Sequence, residues 1–168
     1  MNIRDREIEI RPIKNDEIIS VLRVYQECED FLELGPVPIA SMEMVKTDID
    51  VSKEEKRYFC GIFINNDMAG VFDFGLDNYL ENMKHAYLAL LMISKPFRNN
   101  GLGTRVVKLV ESEIIKNKAI DCIYSGVQIN NSKAIRFWKS NGYEIYAGPE
   151  LLEDKTTVYH LKKVIVKK

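Results

Sequence analysis

One short loop in the sequence has residue types and a spacing that suit the binding of a negatively charged group. Residues 98–103 read Arg-Asn-Asn-Gly-Leu-Gly, after an apolar run at 86–93 and before a segment with apolar residues at helical spacing. Backbone N–H groups at a helix start lack intrahelical acceptors, and the helix dipole favours negative charge there. Gly101 and Gly103 allow a ligand to approach the backbone, and Arg98 adds a planar cation suited to phosphate.

The loop differs from two common nucleotide-binding motifs. It lacks the Gly-Lys-Ser/Thr ending of a P-loop, and Val106 stands where the third glycine of the dinucleotide fingerprint belongs. Taken alone, an Arg-x-x-Gly-x-Gly loop is also compatible with an ordinary turn between a strand and a helix. A second motif is needed to decide between a phosphate site and a plain turn.

Such a motif lies at residues 127–143, which read Val-Gln-Ile-Asn-Asn-Ser-Lys-Ala-Ile-Arg-Phe-Trp-Lys-Ser-Asn-Gly-Tyr. The two blocks together resemble the GNAT acetyltransferase superfamily. Its acyl-CoA loop reads Arg/Gln-x-x-Gly-x-Gly/Ala, and its later block reads Val-x-x-x-Asn-x-x-Ala-x-x-Phe/Leu-Tyr/Trp-x-x-x-Gly-Phe/Tyr. The blocks occur in the family's order and cover roughly the second half of the chain, whereas the first half matches only in general layout.

The resemblance implies an α/β fold and an acetyl-CoA cofactor. The expected fold is a mixed, mostly antiparallel sheet flanked by three to four helices and splayed between its fourth and fifth strands, where the pantetheine arm enters. Backbone groups of Met92 and Ile93 are expected to pair with the pantetheine amides, and an N–H of this strand to polarise the thioester carbonyl. The remaining cofactor-binding residues implied are Arg98, Asn99, Asn100, Gly101, Leu102, Gly103, Thr104, Asn131, Ala134, Phe137 and Trp138.

The catalytic acid and base are harder to assign, because the chain departs from the family at Trp138. Many relatives carry a tyrosine there, whose hydroxyl protonates the leaving thiolate, whereas an indole N–H is no useful acid. Tyr124 and Tyr146 are the alternative acids. Asp73 is a candidate base, as is Glu33, and a chain of water molecules without a single base is equally compatible with the sequence.

Composition and charge limit the kinds of function and location that we expect for this protein. The chain has 168 residues and a formal net charge of −1, which suits one domain over residues 1–168 and gives no electrostatic case for nucleic acid or a membrane surface. The three cysteines show no metal-ligand spacing and no disulfide framework. No apolar run is long enough for a transmembrane helix, and residues 1–7 are too charged for a signal peptide, so we expect a cytoplasmic protein.

Periodicity and turn residues predict the remaining elements. Alternation predicts a strand at 7–13, and apolar runs around an Asn-Asn-Asp turn predict a hairpin. The other strands are expected at 86–93, 121–128, 143–146 and 156–161. Helices are expected from about 16 to 31, at 41–50, from the glycine loop to about 118, and from 132 to about 141.

Three functional hypotheses follow. The first is an N-acetyltransferase that transfers the acetyl group of acetyl-CoA directly to a primary amine of a small molecule or a peptide, with a homodimer as a possible assembly. The second is a non-catalytic acyl-CoA-binding sensor or partner protein, motivated by Trp138 and the unassigned base. The third is an unrelated nucleotide binder, which requires the match at 127–143 to be chance.

Overall fold

Eight strands form one open sheet in the computed structural model, which describes residues 1–166. The strands are β1 (Ile3–Asp5), β2 (Ile8–Pro12), β3 (Tyr58–Ile64), β4 (Asp67–Gly75), β5 (His85–Ile93), β6 (Cys122–Gln128), β7 (Glu144–Leu151) and β8 (Thr157–Val164). Their order across the sheet is β1-β2-β3-β4-β5-β6-β8-β7, and among these described strands only β5 and β6 pair in parallel. The predicted mixed, mostly antiparallel sheet is confirmed, and β1 is an edge strand that the sequence patterns did not predict.

In the part of the chain that the structure describes, five α-helices accompany the sheet: α1 (Ile18–Glu27), α2 (Glu29–Leu32), α3 (Met42–Glu54), α4 (Leu102–Ile114) and α5 (Ser132–Ser140). The helix predicted from 16 to 31 is broken at Cys28, whose backbone leaves the helical region, so α2 is a separate single turn. Helix α4 ends before residue 118, because the chain turns at Asn117, whose side chain accepts the N–H of Ala119. Within residues 1–166, none of these helices combines the length and apolar character that crossing a bilayer requires.

The helices cover the two faces of the sheet unevenly. On one face, α4 and α5 pack on the sheet through buried residues that include Val106, Val110 and Trp138. On the other face, α1 and α3 pack through residues such as Val21 and Val45 against β3, β4 and the second half of β5. The stretch of β6, β8 and β7 that carries Tyr124, His160 and Tyr146 on this second face belongs to neither buried cluster.

The sheet opens between β5 and β6. Their parallel register runs from His85 opposite Cys122 to Leu88 opposite Ser125, where the Ser125 hydroxyl donates to the carbonyl oxygen of Leu88 at 2.9 Å. At Ala89, the register of β5 with β4 shifts by one residue, and a shift of this kind bends a strand. Beyond this point β5 and β6 do not pair, so the splay predicted between strands 86–93 and 121–128 is present.

Candidate active site

The split between β5 and β6 continues into a cleft of about 840 Å³. Its walls come from β5, the loop before α4, β6, the start of α5, and residues near α2 and β8. Of the cofactor-binding residues predicted from the sequence, Met92, Ile93, Arg98, Asn99, Gly101, Leu102, Gly103, Thr104, Asn131, Ala134, Phe137 and Trp138 line this cleft. Asn100 does not line it and instead accepts the N–H of Leu102 through its side chain at 3.1 Å.

The glycine loop has the backbone shape that an anion site needs. Gly101 is the N-cap of α4 at φ +79°. Apart from its own chain neighbours, no atom of residues 1–166 lies within 4 Å of the position that a Cβ would take there. Gly103 lies against the ring of Phe137, which would be 3.1 Å from an added Cβ. Gly101 therefore supplies a left-handed turn and open space, while Gly103 lets α4 and α5 approach each other beside the first-turn N–H groups.

The side chain of Arg98 has a different partner from the one expected. Its guanidinium pairs with both carboxylate oxygens of Asp30, at 2.6 and 3.2 Å, and its Nε donates to the carbonyl oxygen of Ile93 at 2.7 Å. The hydrogen bond from Arg98 lowers the pKa of Asp30. The guanidinium that we expected to bind phosphate therefore ties the chain around α2 to the end of β5.

The second sequence block forms the opposite wall. The side chain of Asn131 accepts the N–H of Ala134 at 3.0 Å and caps α5, which places its amide at the cleft. Trp138 is buried edge-on between Phe137 and Tyr143, with ring centroids 5.2 and 5.0 Å away. Tyr143 donates a hydrogen bond to Glu111 at 2.9 Å and serves packing, as its position in the motif suggests.

These residues fit a molecule with a pyrophosphate and an extended arm of amides. The helix start at Gly101 offers N–H groups and open space to the pyrophosphate. The facing edges of β5 and β6 beyond Leu88 and Ser125 do not hydrogen-bond to each other. Apart from the Ile93 carbonyl, which accepts from Arg98, their backbone groups are therefore available to amides that enter the split.

The two predicted acids, Tyr124 and Tyr146, lie beside the cleft without lining it. Their rings meet edge-on with centroids 5.6 Å apart. Burial raises the pKa of Tyr124 to about 12. Tyr146 is 42% exposed on the face that no helix covers, and burial also raises its pKa.

Asp73, the candidate base, is buried away from the cleft lining. It accepts hydrogen bonds from the Ser52 hydroxyl at 2.7 Å and from Arg57 Nε at 3.0 Å. The two oxygens of its carboxylate are thus engaged by α3 and by the residue before β3. This arrangement suits an ion pair that joins α3 to the sheet better than it suits a base exchanging protons with a substrate.

We expect Asp73→Asn to lower the free energy of unfolding by about 1.5 kcal/mol, because a charge-assisted hydrogen bond to Arg57 becomes a neutral one. Affinity for acetyl-CoA is expected to stay within twofold of wild type. Urea denaturation and calorimetric titration measure the two quantities, with Asp67→Asn, an exposed change on the same strand, as control. Loss of acetyl-CoA binding in a stably folded Asp73→Asn variant would contradict this structural role.

Tyr87 is a cleft residue that the sequence patterns missed. Its ring stacks on Tyr79 with centroids 4.3 Å apart, and its hydroxyl oxygen is 3.9 Å from the position of a Cβ added at Gly126. Burial raises its pKa, so the hydroxyl keeps its proton at neutral pH. The sequence offered one signal for a role of Tyr87: its side chain carries a polar hydroxyl within the apolar run at 86–93.

Comparison with known proteins agrees with this geometry. Residues 19–143 match the model of the Acetyltransferase (GNAT) family. The chain is 34% identical over 83 residues to a probable N-acetyltransferase, san, of Drosophila melanogaster, covering 49% of this chain and 45% of that protein. It is 35% identical over 68 residues to N-alpha-acetyltransferase 50 of Danio rerio, covering 40% of each. The matched stretch thus spans less than half the length of these curated relatives.

Solved structures share the fold at low sequence identity. An acetyltransferase from Thermus thermophilus superposes with a TM-score of 0.81 at 17% identity, covering 98% of this chain and all of that one. RimL, a ribosomal L7/L12 alpha-N-protein acetyltransferase solved in complex with coenzyme A, superposes with a TM-score of 0.76 at 15% identity and 98% coverage of both chains. With the family match over most of its length, the chain belongs to the acetyltransferase (GNAT) family.

Proposed function

We propose that this protein transfers the acetyl group of acetyl-CoA directly to a primary amine, and that the amine is the N-terminal α-amino group of a peptide. Acetyl-CoA as cofactor agrees with the family and with the coenzyme A complex of RimL. The single observation that supports the proposal most is the continuous cleft. It joins the anion site before α4, through the β5–β6 split, to the hydroxyl of Tyr87.

In this proposal, the chain holds the cofactor mainly through its backbone. The N–H groups after Gly101 bind the pyrophosphate. The edge of β5 around Met92 and Ile93, which does not pair with β6, binds the amides of the arm through groups other than the Ile93 carbonyl, because that carbonyl accepts from Arg98. Bound acetyl-CoA supplies a thioester, whose carbonyl carbon accepts the amine and whose sulfur departs with the electron pair of the broken bond. An N–H group of β5 stabilises the charge that develops on the carbonyl oxygen.

Tyr87 is the group best placed to supply a proton to the departing sulfur. Its hydroxyl lies in the cleft opposite Gly126, whereas Trp138 has no acidic proton. Burial raises the pKa of Tyr87, which keeps the hydroxyl in its donor form across neutral pH. Tyr124 and Tyr146 lie further along the same aromatic cluster and are better placed to contact the acceptor.

A peptide acceptor is supported by the relatives and by the lining of the cleft. RimL is named as an alpha-N-protein acetyltransferase, and the Danio rerio relative is named as an N-alpha-acetyltransferase. On this chain, the residues that line the cleft include Phe31, Leu34, Leu152 and Asp154. Apolar side chains with a carboxylate suit a short extended segment that carries a terminal ammonium.

The proposal is tested by the release of free thiol from acetyl-CoA in the presence of two panels of acceptors. One panel holds short peptides with free N-termini, and the other holds small amines such as polyamines and amino sugars. We expect peptide-dependent thiol release that stops when the N-terminus is blocked. Thiol release with small amines but not with peptides would show that the acceptor is a small amine. Tight binding of acetyl-CoA without thiol release in the presence of any amine would favour the non-catalytic sensor.

A further inference from the structure

We propose that His160, held by Glu150, is the base that takes a proton from the acceptor ammonium, in a gap that Gly126 leaves open opposite Tyr87. This assignment rests on the proposed function and adds a residue that the sequence motifs do not indicate. It gives the acetyl transfer the base that Asp73 is badly placed to provide.

The register of the sheet places His160 beside Gly126, a residue that lines the cleft. Gly126 of β6 is paired directly with His160 of β8, so both residues present the same face of the sheet. Directly paired residues in antiparallel strands have Cβ positions about 5 Å apart. From the opposite side, the Tyr87 hydroxyl oxygen is 3.9 Å from the Cβ position at Gly126. Since glycine has no side chain, the space between the imidazole and the hydroxyl is free for a substrate.

The surroundings of His160 suit a base. Its Nε2 contacts the Glu150 carboxylate, which can orient the ring and stabilise the imidazolium after proton uptake. The side chain is 25% exposed on the sheet face that no helix covers, so an acceptor amine can reach it from solvent. The titratable or charged groups that face it are Glu150 and Tyr146 from β7, Tyr124 from β6 and Lys162 from β8.

Two other candidate bases among residues 1–166, His85 and Asp73, are less suitable. The Nε2 atom of His85 lies 3.2 Å from the Asn82 side chain, and the ring Nδ1 is buried. Both oxygens of Asp73 are engaged by Ser52 and Arg57. His160 combines access to the acceptor face with a carboxylate partner.

The proton and electron balance of the step is simple. The acceptor ammonium gives one proton to a ring nitrogen of His160, and the nitrogen lone pair then forms the new C–N bond to the acetyl carbon. The C–S bond breaks, with its electron pair remaining on sulfur. As the amide forms, the nitrogen loses a second proton, which matches the proton that the sulfur gains. The imidazolium returns its proton to water, so each turnover releases one proton to solvent.

The first test measures kcat and KM as a function of pH for His160→Gln and Glu150→Gln. At pH 7, we expect kcat of His160→Gln to fall about 100-fold, the lower end of general-base effects, with acetyl-CoA affinity within twofold of wild type. An α-amino group has a pKa of about 8, so the deficit should shrink at least tenfold by pH 9, where the amine is neutral without help. Glu144→Gln on the same strand is the matched control and should leave kcat unchanged.

A second readout does not depend on turnover. The chain has two histidines, and His160→Gln identifies the ring signals of His160 in NMR spectra. Adding the acceptor peptide without acetyl-CoA should shift those signals and leave the His85 signals in place. A folded His160→Gln variant with kcat within threefold of wild type, or with a deficit independent of pH, would overturn the base assignment while leaving the proposed function intact. A wild type that is inactive with every amine would overturn both.

Discussion

Replacing Tyr87 with phenylalanine is expected to lower kcat about 100-fold, because the leaving sulfur loses its proton donor. Affinity for acetyl-CoA should stay within twofold, since the phenylalanine ring keeps the stacking on Tyr79 and removes only the hydroxyl that lies across from Gly126. Steady-state thiol release at saturating acceptor measures kcat, and calorimetric titration measures the affinity.

The comparison with other tyrosines makes this prediction specific. Tyr58→Phe, on β3 and outside the cleft, is the control for loss of a hydroxyl and should leave kcat unchanged. Tyr124→Phe and Tyr146→Phe should raise the KM for the acceptor more than they lower kcat, because these rings lie beside the cleft. If Tyr124→Phe or Tyr146→Phe lowered kcat more than Tyr87→Phe does, the general acid would be Tyr124 or Tyr146, as the sequence indicated.

Replacing Gly101 with aspartate is expected to weaken acetyl-CoA binding about 30-fold more than replacing it with asparagine. Both side chains have nearly the same shape and tolerate left-handed backbone better than most residues, and both enter the open space at this N-cap. They differ by one negative charge. At about 8 Å from a phosphate charge and an effective dielectric constant of about 20, the repulsion is about 2 kcal/mol.

Calorimetric titration of the two Gly101 variants at low and high salt measures this difference, and it should shrink as salt screens the charge. Asp67→Asn reports any general effect of altered net charge on binding. Equal affinities for Gly101→Asp and Gly101→Asn would mean that no phosphate lies near this helix start.

The sequence predicted the parts of the site that local patterns carry. The glycine spacing, the apolar run before it and the helical period after it together indicate the strand, loop and helix around Gly101. The block from 127 to 143 indicates the opposite wall, and Asn131 caps α5, as expected of an asparagine just before a helix. The splayed sheet followed from resemblance to the family and not from periodicity.

The parts that sequence patterns missed depend on contacts between distant residues. Arg98 and Asp30 are 68 positions apart, and their pairing exists because the single turn α2 brings Asp30 to the end of β5. Asp73 reads as a polar interruption in an apolar strand, and only the fold shows Arg57 and Ser52 against it. Only the folded structure shows that the hydroxyl of Tyr87 lies opposite Gly126, and this position is what makes Tyr87 a candidate acid.

The most direct test of acetyl transfer is to locate the acetyl group after a reaction with isotopically labelled acetyl-CoA and a peptide acceptor, by tandem mass spectrometry. We expect the label on the α-amino nitrogen, in an amount equal to the free coenzyme A formed. At the same early time point, Tyr87→Phe should carry about a hundredth of that label. Acetyl-CoA that binds in the cleft but transfers no label to any amine would contradict an enzymatic role for this site.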